Sequence, residues 1–144
     1  MFNIEITFQK TIRDVDALWI RRVITETLLL EKKRNLSLSI LLTDNKNIRK
    51  INKRFLKHDY ATDVISFWYD AGVSSKSERD FLGELVVSWE MAREFAKKLE
   101  ISFKEELARY LIHGTLHLLG YDDKQKKDKN RMHRRQEFIL RKVL

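Results

Sequence analysis

The chain has 144 residues, a formal net charge of +8, 43% hydrophobic and 35% charged residues, a balance that suits one globular domain with a real core and excludes an intrinsically disordered chain. No apolar run approaches the roughly 18 residues that a membrane span needs, so no membrane partner is expected. With no cysteine, neither a disulfide nor a thiolate metal site can form, and a reducing cytoplasm is the natural location. The opening MFNIEITFQK has no basic segment followed by an apolar run, so no secretory leader is expected. Proline, repeats and low-complexity stretches are absent, and residues 1–144 read as a single domain.

Ile4, Ile6 and Phe8 alternate in a first strand. Asp14 or Asp16 can cap a first helix running to about Lys33, with Val15, Leu18, Trp19 and Val23 on its buried face. Leu36, Leu38, Ile40 and Leu42 alternate with Ser37 and Ser39 in a second strand. Thr43 and Asp44 open a short helix whose Ile48, Ile51 and Phe55 share a face, followed by a loop over residues 57–62. Val64 to Tyr69 is β-branched and aromatic, hence a third strand. Asp70 to Asp80 reads as a polar loop, and Phe81 to Ser88, with the apolar run Leu85-Val86-Val87, as a strand covered on both faces. Met91, Phe95 and Leu99, with Ala92 and Ala96 beside them, predict a closely packed helix. Ser102 and Glu105 form a capping box for the next one, whose Phe103, Leu107, Leu111 and Leu118 face the core and which Gly120 stops. A last helix spans about Lys126 to Val143, with Met132, Ile139 and Val143 inward and basic residues outward. Four strands and five helices in the order βαβαββααα predict an α+β fold, a small mixed sheet with helices packed on it.

The charge is concentrated. Residues 124–144 hold nine Lys and Arg against Asp128 and Glu137, which accounts for +7 of the total +8. Such a segment suits a polyanion, because binding phosphates releases their counterions.

The chemistry lies in residues 111–123, LIHGTLHLLGYDD. Side chains four apart on a helix lie one above the other, so His113 and His117 can aim two imidazoles at one ion. Gly120 ends the helix just beyond, and Asp123 can return a carboxylate oxygen. Three protein ligands leave a coordination position open, the arrangement of a catalytic rather than a structural metal. Gly114 inside a helix costs roughly 1 kcal/mol relative to alanine, which makes sense if something must approach the backbone there. It also occupies the place where the zinc proteases of the H-E-x-x-H type carry their glutamate base. Without that base, peptide hydrolysis is poorly served, whereas a metal can still polarise a phosphoryl oxygen and activate water.

The run HGTLHLLGYDD closely resembles the H-G-x-L-H-L-x-G-Y-D-H signature of the YbeY-type endoribonucleases. Residues 52–67, NKRFLKHDYATDVISF, are similar to that family's N-x-x-Y/F…D-x-x-T-D-V-L-S-F segment, and Leu82 to Ser88, LGELVVS, to its L-G-D-I-x-I-S strand. The resemblance covers essentially the whole chain. It implies one zinc ion, single-stranded RNA as substrate, and work on the 3′ end of 16S rRNA and in ribosome quality control, with the ribosomal subunit as partner. The family's three metal histidines fall on His113, His117 and position 123, where this chain departs with Asp123; Asp122 is the neighbour that could substitute. A carboxylate is a legitimate zinc ligand but a harder, anionic one, which loosens the preference for zinc over manganese or magnesium. The family's arginine after the N-x-x-Y/F aromatic is Leu56 here, and Arg54, Lys57 or His58 could supply the charge. Thr62, Asp63 and Ser66 read as turn and strand residues, and His133 as a surface residue.

The expectation is a metal-dependent endoribonuclease with His113, His117 and Asp123 as ligands and no side-chain catalyst assigned beyond the metal's own chemistry. Arg54, Lys57, Lys126, Lys127, Arg131, Arg134 and Arg135 are expected to hold RNA. Two other classes are a ribosome-assembly factor with a purely structural metal and a metallohydrolase of another substrate.

Overall fold

Alternating apolar residues at the start of the chain form strand β1, Asn3–Phe8, with Ile4 buried and Asn3, Glu5 and Thr7 exposed. Helix α1 (Ala17–Leu30), strand β2 (Leu36–Thr43), helix α2 (Asn45–Leu56), strands β3 (Val64–Trp68) and β4 (Asp80–Ser88), and helices α3 (Trp89–Leu99), α4 (Phe103–Leu118) and α5 (Lys126–Val143) follow in the expected order. The computed structural model describes residues 2–69 and 80–144. The loop expected over 70–80 therefore lies outside the described residues, apart from Asp80, which begins β4. Among the described residues no helix is long and apolar enough to cross a membrane.

The sheet is mixed and four-stranded, in the order β1-β2-β4-β3, as the α+β reading expected. The pairs β1–β2 and β2–β4 are parallel, while β3 runs antiparallel to β4. Register sorts the faces: Ile40 pairs with Leu85, Leu42 with Val87, Ser66 with Leu85 and Val64 with Val87, so these residues share one face. On that face Leu38, Ile40, Leu42, Leu85 and Val87 form one core with Ile20, Val23, Ile24 and Leu28 of α1 and Leu107, Leu111 and Leu116 of α4. Each such side chain contributes about 1.5–3 kcal/mol when fully buried. On the opposite face α2 covers Val86 and Ile65 with Ile48 in a smaller cluster, so β4 is indeed covered on both sides.

Four local expectations need correction. Helix α1 is capped by Asp16, whose side chain accepts the Trp19 N–H, and its stripe is Ile20, Val23, Ile24, Thr27 and Leu28; Leu18 falls outside it and is 73% exposed. The helix stops at Leu30 rather than near Lys33, because Lys32 takes a left-handed φ of 58° and Lys33 N–H returns to the Leu28 carbonyl. In α2, Ile48 is buried but Phe55 is exposed, resting edge-on against Phe67. In α3 the buried contacts are Ala92 and Ala96, which let the helix lie close to α4, while Phe95 and Leu99 face outward.

Helix α4 is central: it touches α1, α3, α5, β3 and β4. Its Arg109 ties it to α5, donating from Nε to Glu137 (2.9 Å) and from the other guanidinium nitrogens to Glu106 (2.5 Å) and Glu105 (3.2 Å). Burial pushes the Glu137 carboxyl up, but the hydrogen bonds from Arg109 and Gln136 and the Arg109 charge outweigh it and hold the group below the usual carboxylate range. A carboxyl lowered on folding stabilises the protein above its ordinary value, about pH 4.3, and that contribution disappears as pH falls through the folded value. Glu137→Gln should therefore cost about 1–2 kcal/mol at pH 7, and the difference should shrink as pH falls below the usual carboxylate range. A difference from the parent in thermal melts that stays constant across an acid titration would contradict this.

Candidate metal centre

The position of each site residue follows from how α4 begins and ends. Ser102 starts it, its hydroxyl oxygen accepting the Glu105 N–H at 3.0 Å, while the Glu105 carboxylate turns to Arg109. At the other end Gly120, at φ +105°, closes the helix: its N–H reaches the His117 carbonyl (3.0 Å) and the Tyr121 N–H the Leu116 carbonyl (3.1 Å). The chain reverses there and carries Asp123 back alongside His117. Tyr121 pins the turn, its hydroxyl donating to Glu31 Oε1 (2.5 Å), and Arg135 donates to the other oxygen of Glu31 (2.7 Å). Burial, followed by the Glu31 interaction, keeps the Tyr121 phenol above its ordinary pKa and so protonated.

Gly114 is explained by packing. A β-carbon there would sit 2.9 Å from Leu85 Cδ2 and 2.9 Å from Val64 Cγ2, so its absence lets α4 lie directly on β3 and β4. What approaches the backbone is the sheet, and the Ser66 hydroxyl donates to the Gly114 carbonyl at 3.2 Å. A side chain at 114 would point into the sheet, away from the histidines.

His113 has a defined tautomer. Gln136, buried on α5, lies 2.7 Å from His113 Nδ1 through its amide oxygen, while its amide nitrogen donates to Glu137 Oε2 at 3.1 Å. A carboxylate only accepts, so the amide nitrogen belongs on the Glu137 side and the oxygen on the His113 side. His113 Nδ1 is therefore the N–H, and Nε2 keeps its lone pair. A partner of this type typically changes metal affinity about 10–100-fold. Gln136→Leu is expected to weaken metal binding by that order with the fold retained, measured by chelator competition; unchanged affinity would show that the amide only fills space.

His117 Nε2 lies 3.6 Å from Asp123 Oδ1, and its buried Nδ1 has no hydrogen-bond partner among the described residues. The His113 and His117 rings meet edge to face, 5.7 Å between centroids. Ligand-type atoms of His113, His117 and Asp123 all lie within 4.8 Å of one another, the one such group found among the described residues. Asp122 turns elsewhere, its carboxylate accepting the Lys124 N–H at 3.0 Å.

These residues fit a metal ion. A tetrahedron built on bonds of about 2.1 Å has edges of about 3.4 Å, close to the His117–Asp123 separation. The donor set is two imidazoles and one carboxylate, with one imidazole already oriented by an amide. The last turn of α4 also places its partly negative carbonyl end beside the site, which favours a cation there.

The trio opens on a cleft of about 370 Å³. Asn52, Leu56, His58 and Tyr60 line it from the end of α2 and the following loop, Thr62 and Asp63 from the approach to β3, and Ser66 and Trp68 from β3 itself. Leu56 thus stands in the cleft wall, and of the three residues considered as its basic substitutes only His58 does so. Arg54 instead lies over the Phe55 ring, and Lys57 ends α2 in a left-handed conformation, exposed. Lys126 and Lys127 are exposed on the first turn of α5. Arg131, Arg134 and Arg135 line a separate groove of about 550 Å³ beside Lys32 and Tyr121. Arg135 is committed there to Glu31 and to the Leu30 carbonyl. His133 is exposed, as expected. Sequence reasoning missed Gln136, although a polar residue amid the inward positions of α5 was a usable signal, and it missed Trp68, for which alternation along β3 was the signal.

A family model described as Endoribonuclease YbeY matches residues 3–144. Two curated proteins of that name are similar: one from Salinibacter ruber, 37% identical over 92% of this chain and 86% of its own length, and one from Fusobacterium nucleatum, 44% identical over 77% and 69%. The solution structure of TM1509 from Thermotoga maritima superposes with a TM-score of 0.68 at 23% identity, over 97% of this chain and 88% of that one, and shares the fold.

Proposed function

Because the chain belongs to the endoribonuclease YbeY family, we propose that it is a single metal-dependent endoribonuclease domain over residues 1–144, with zinc held by His113, His117 and Asp123. Its substrate is single-stranded RNA, and its work is maturation of the 16S rRNA 3′ end and ribosome quality control, on the ribosomal subunit in the cytoplasm. The observation that carries this reading is the convergence of two imidazoles and a carboxylate at the floor of a cleft. An ion bound there supplies Lewis acidity toward a phosphoryl oxygen and the activation of water as a nucleophile near neutral pH.

The protein's own side chains do the rest. Gln136 keeps the proton on His113 Nδ1, so that Nε2 stays available. The Glu31–Tyr121 hydrogen bond holds the turn that brings Asp123 to His117. The carboxylate offsets part of the ion's charge, which widens the range of acceptable metals toward manganese. Lys126, Lys127, Arg131 and Arg134 have no salt-bridge partner among the described residues and hold RNA by its phosphates; Arg54 and Lys57, at the end of α2, add positive charge next to Leu56 in the cleft wall.

Elemental analysis of the purified protein, followed by cleavage of a labelled single-stranded RNA before and after chelation, tests the proposal. One zinc per chain, loss of cleavage on chelation and recovery on zinc return are expected. Cleavage at full rate in metal-free protein would refute it.

A further inference from the structure

Alternation along β3 places Val64, Ser66 and Trp68 on the face that meets α4, since they pair with Val87, Leu85 and Gly83. The strand is at the sheet edge, so the last of these, Trp68, extends beside His117 at the mouth of the cleft. The two rings meet at 90° with centroids 5.4 Å apart. Perpendicular packing can cover at most one face of the indole, and Trp68 is 58% exposed. Other exposed aromatics nearby have aromatic partners: Phe55 packs on Phe67 and Tyr69 on Phe81. Trp68 has no ring partner except His117 among the described residues. From the loop before β3, Tyr60 and His58 line the same cleft, 5.3 Å apart and nearly parallel.

We propose that Trp68 is a stacking platform for one nucleobase of the RNA, adjacent to the phosphate that is cut. The inference rests on the nuclease reading and adds to it the group that selects unpaired substrate. A base inside a duplex has both faces occupied by its neighbours, so only a single strand can lay a base on the free indole face. The cleft's about 370 Å³ lies in the range of small-ligand sites, about 300–1,000 Å³, and suits a nucleotide unit rather than a helix. Stacking on an indole has little base preference, because every base offers a π face, so Trp68 confers strandedness rather than sequence.

The test uses the full-length, metal-loaded protein and a short single-stranded RNA in which each nucleotide in turn is made abasic. Trp68→Ala should raise KM, and the dissociation constant for a non-cleavable analogue of that RNA, by about 5- to 100-fold, with the loss in KM rather than kcat and metal content unchanged. Trp68→Phe should recover most of it. In the parent one abasic position should carry a penalty of similar size, and that penalty should vanish in Trp68→Ala. The proposal is overturned if Trp68→Ala binds and cuts as the parent does, or if the abasic penalty persists without the indole. It is overturned equally if the loss tracks lost metal, or if the variant changes from dimer to monomer and so reveals a second copy as the occupant. A parent protein that neither binds nor cuts RNA would sink the nuclease reading itself, which is a different result.

Discussion

Replacing His117 with alanine is expected to remove the metal and abolish RNA cleavage while leaving a folded protein. The imidazole's Nδ1 is buried without a hydrogen-bond partner among the described residues, a situation that costs about 1–3 kcal/mol. Among the described residues the only polar contact of the ring is the 3.6 Å approach of Nε2 to Asp123 Oδ1, so its loss forfeits little beyond packing. The melting temperature of the metal-free protein should change little. Metal affinity, by contrast, loses one of three donors, and the drop should exceed the roughly 10–100-fold expected for Gln136→Leu, which only orients a donor. Metal content, far-UV circular dichroism and RNA cleavage, measured on one preparation, decide the matter. A folded His117→Ala protein that retains its metal and cuts RNA at the parental rate would remove this residue from the site.

Gly83→Ala should have the largest effect on stability. Gly83 has a φ of +149°, and a β-carbon there would run into the Phe67 carbonyl oxygen across the β3–β4 pair, with Leu118 Cδ2 at 3.1 Å on the other side. The backbone makes this turn because β4 slips against β2: Phe81 pairs with Ser37 and Gly83 with Leu38, leaving Leu82 as the additional residue of a bulge. A ladder carbonyl cannot move aside without breaking the pairing of Trp68 with Gly83, so the clash is not relieved by a rotamer change. A loss of about 3–5 kcal/mol is expected, and a melting temperature lower by roughly 10–20 °C for a chain of this size. Gly120→Ala is the control: φ is also positive, at +105°, but no atom of the described residues lies within 4 Å of the added carbon, and the cost should be about 1–2 kcal/mol. Equal losses in the two variants would mean that dihedral strain, rather than the close approach of β3, governs Gly83.

Much of this architecture could be read from the chain alone. Strict alternation marked β1 and β2, the apolar run Leu85-Val86-Val87 marked a strand buried on both faces, and Ser102 with Gly120 bracketed α4. The four-residue spacing of His113 and His117 needed only helical periodicity to bring them together. Less legible was the end of α1, placed near Lys33 but lying at Leu30. The helices close at Lys32, Lys57 and Glu100, all left-handed without glycine, and of these only the end before Lys57 was read in place, as the start of the loop over 57–62. A reading that looks for glycine at helix C-termini passes over them, although each is closed by a local hydrogen bond from the next N–H back to the last turn of its own helix, Lys33 to Leu28, His58 to Asn52 and Ile101 to Ala96. The buried face of α3 was also ambiguous: Ala92 and Ala96 beside Met91, Phe95 and Leu99 describe two adjacent stripes, and only contact with α4 selects the small one.

Local rules, acting over one or two turns of chain, determined the elements, their order, the pair of histidines and the concentration of positive charge in α5. Long-range packing decided what those rules do not reach. It brought Gln136 from α5 to His113, Glu31 from the end of α1 to Tyr121, and Trp68 from an edge strand to His117. It also assigned Gly114 to the sheet rather than to a ligand. The reason is physical: a residue's neighbours along the chain fix its backbone geometry, whereas its partners 20 to 100 positions away depend on how the apolar faces of α1, α4 and α5 close over one side of the sheet.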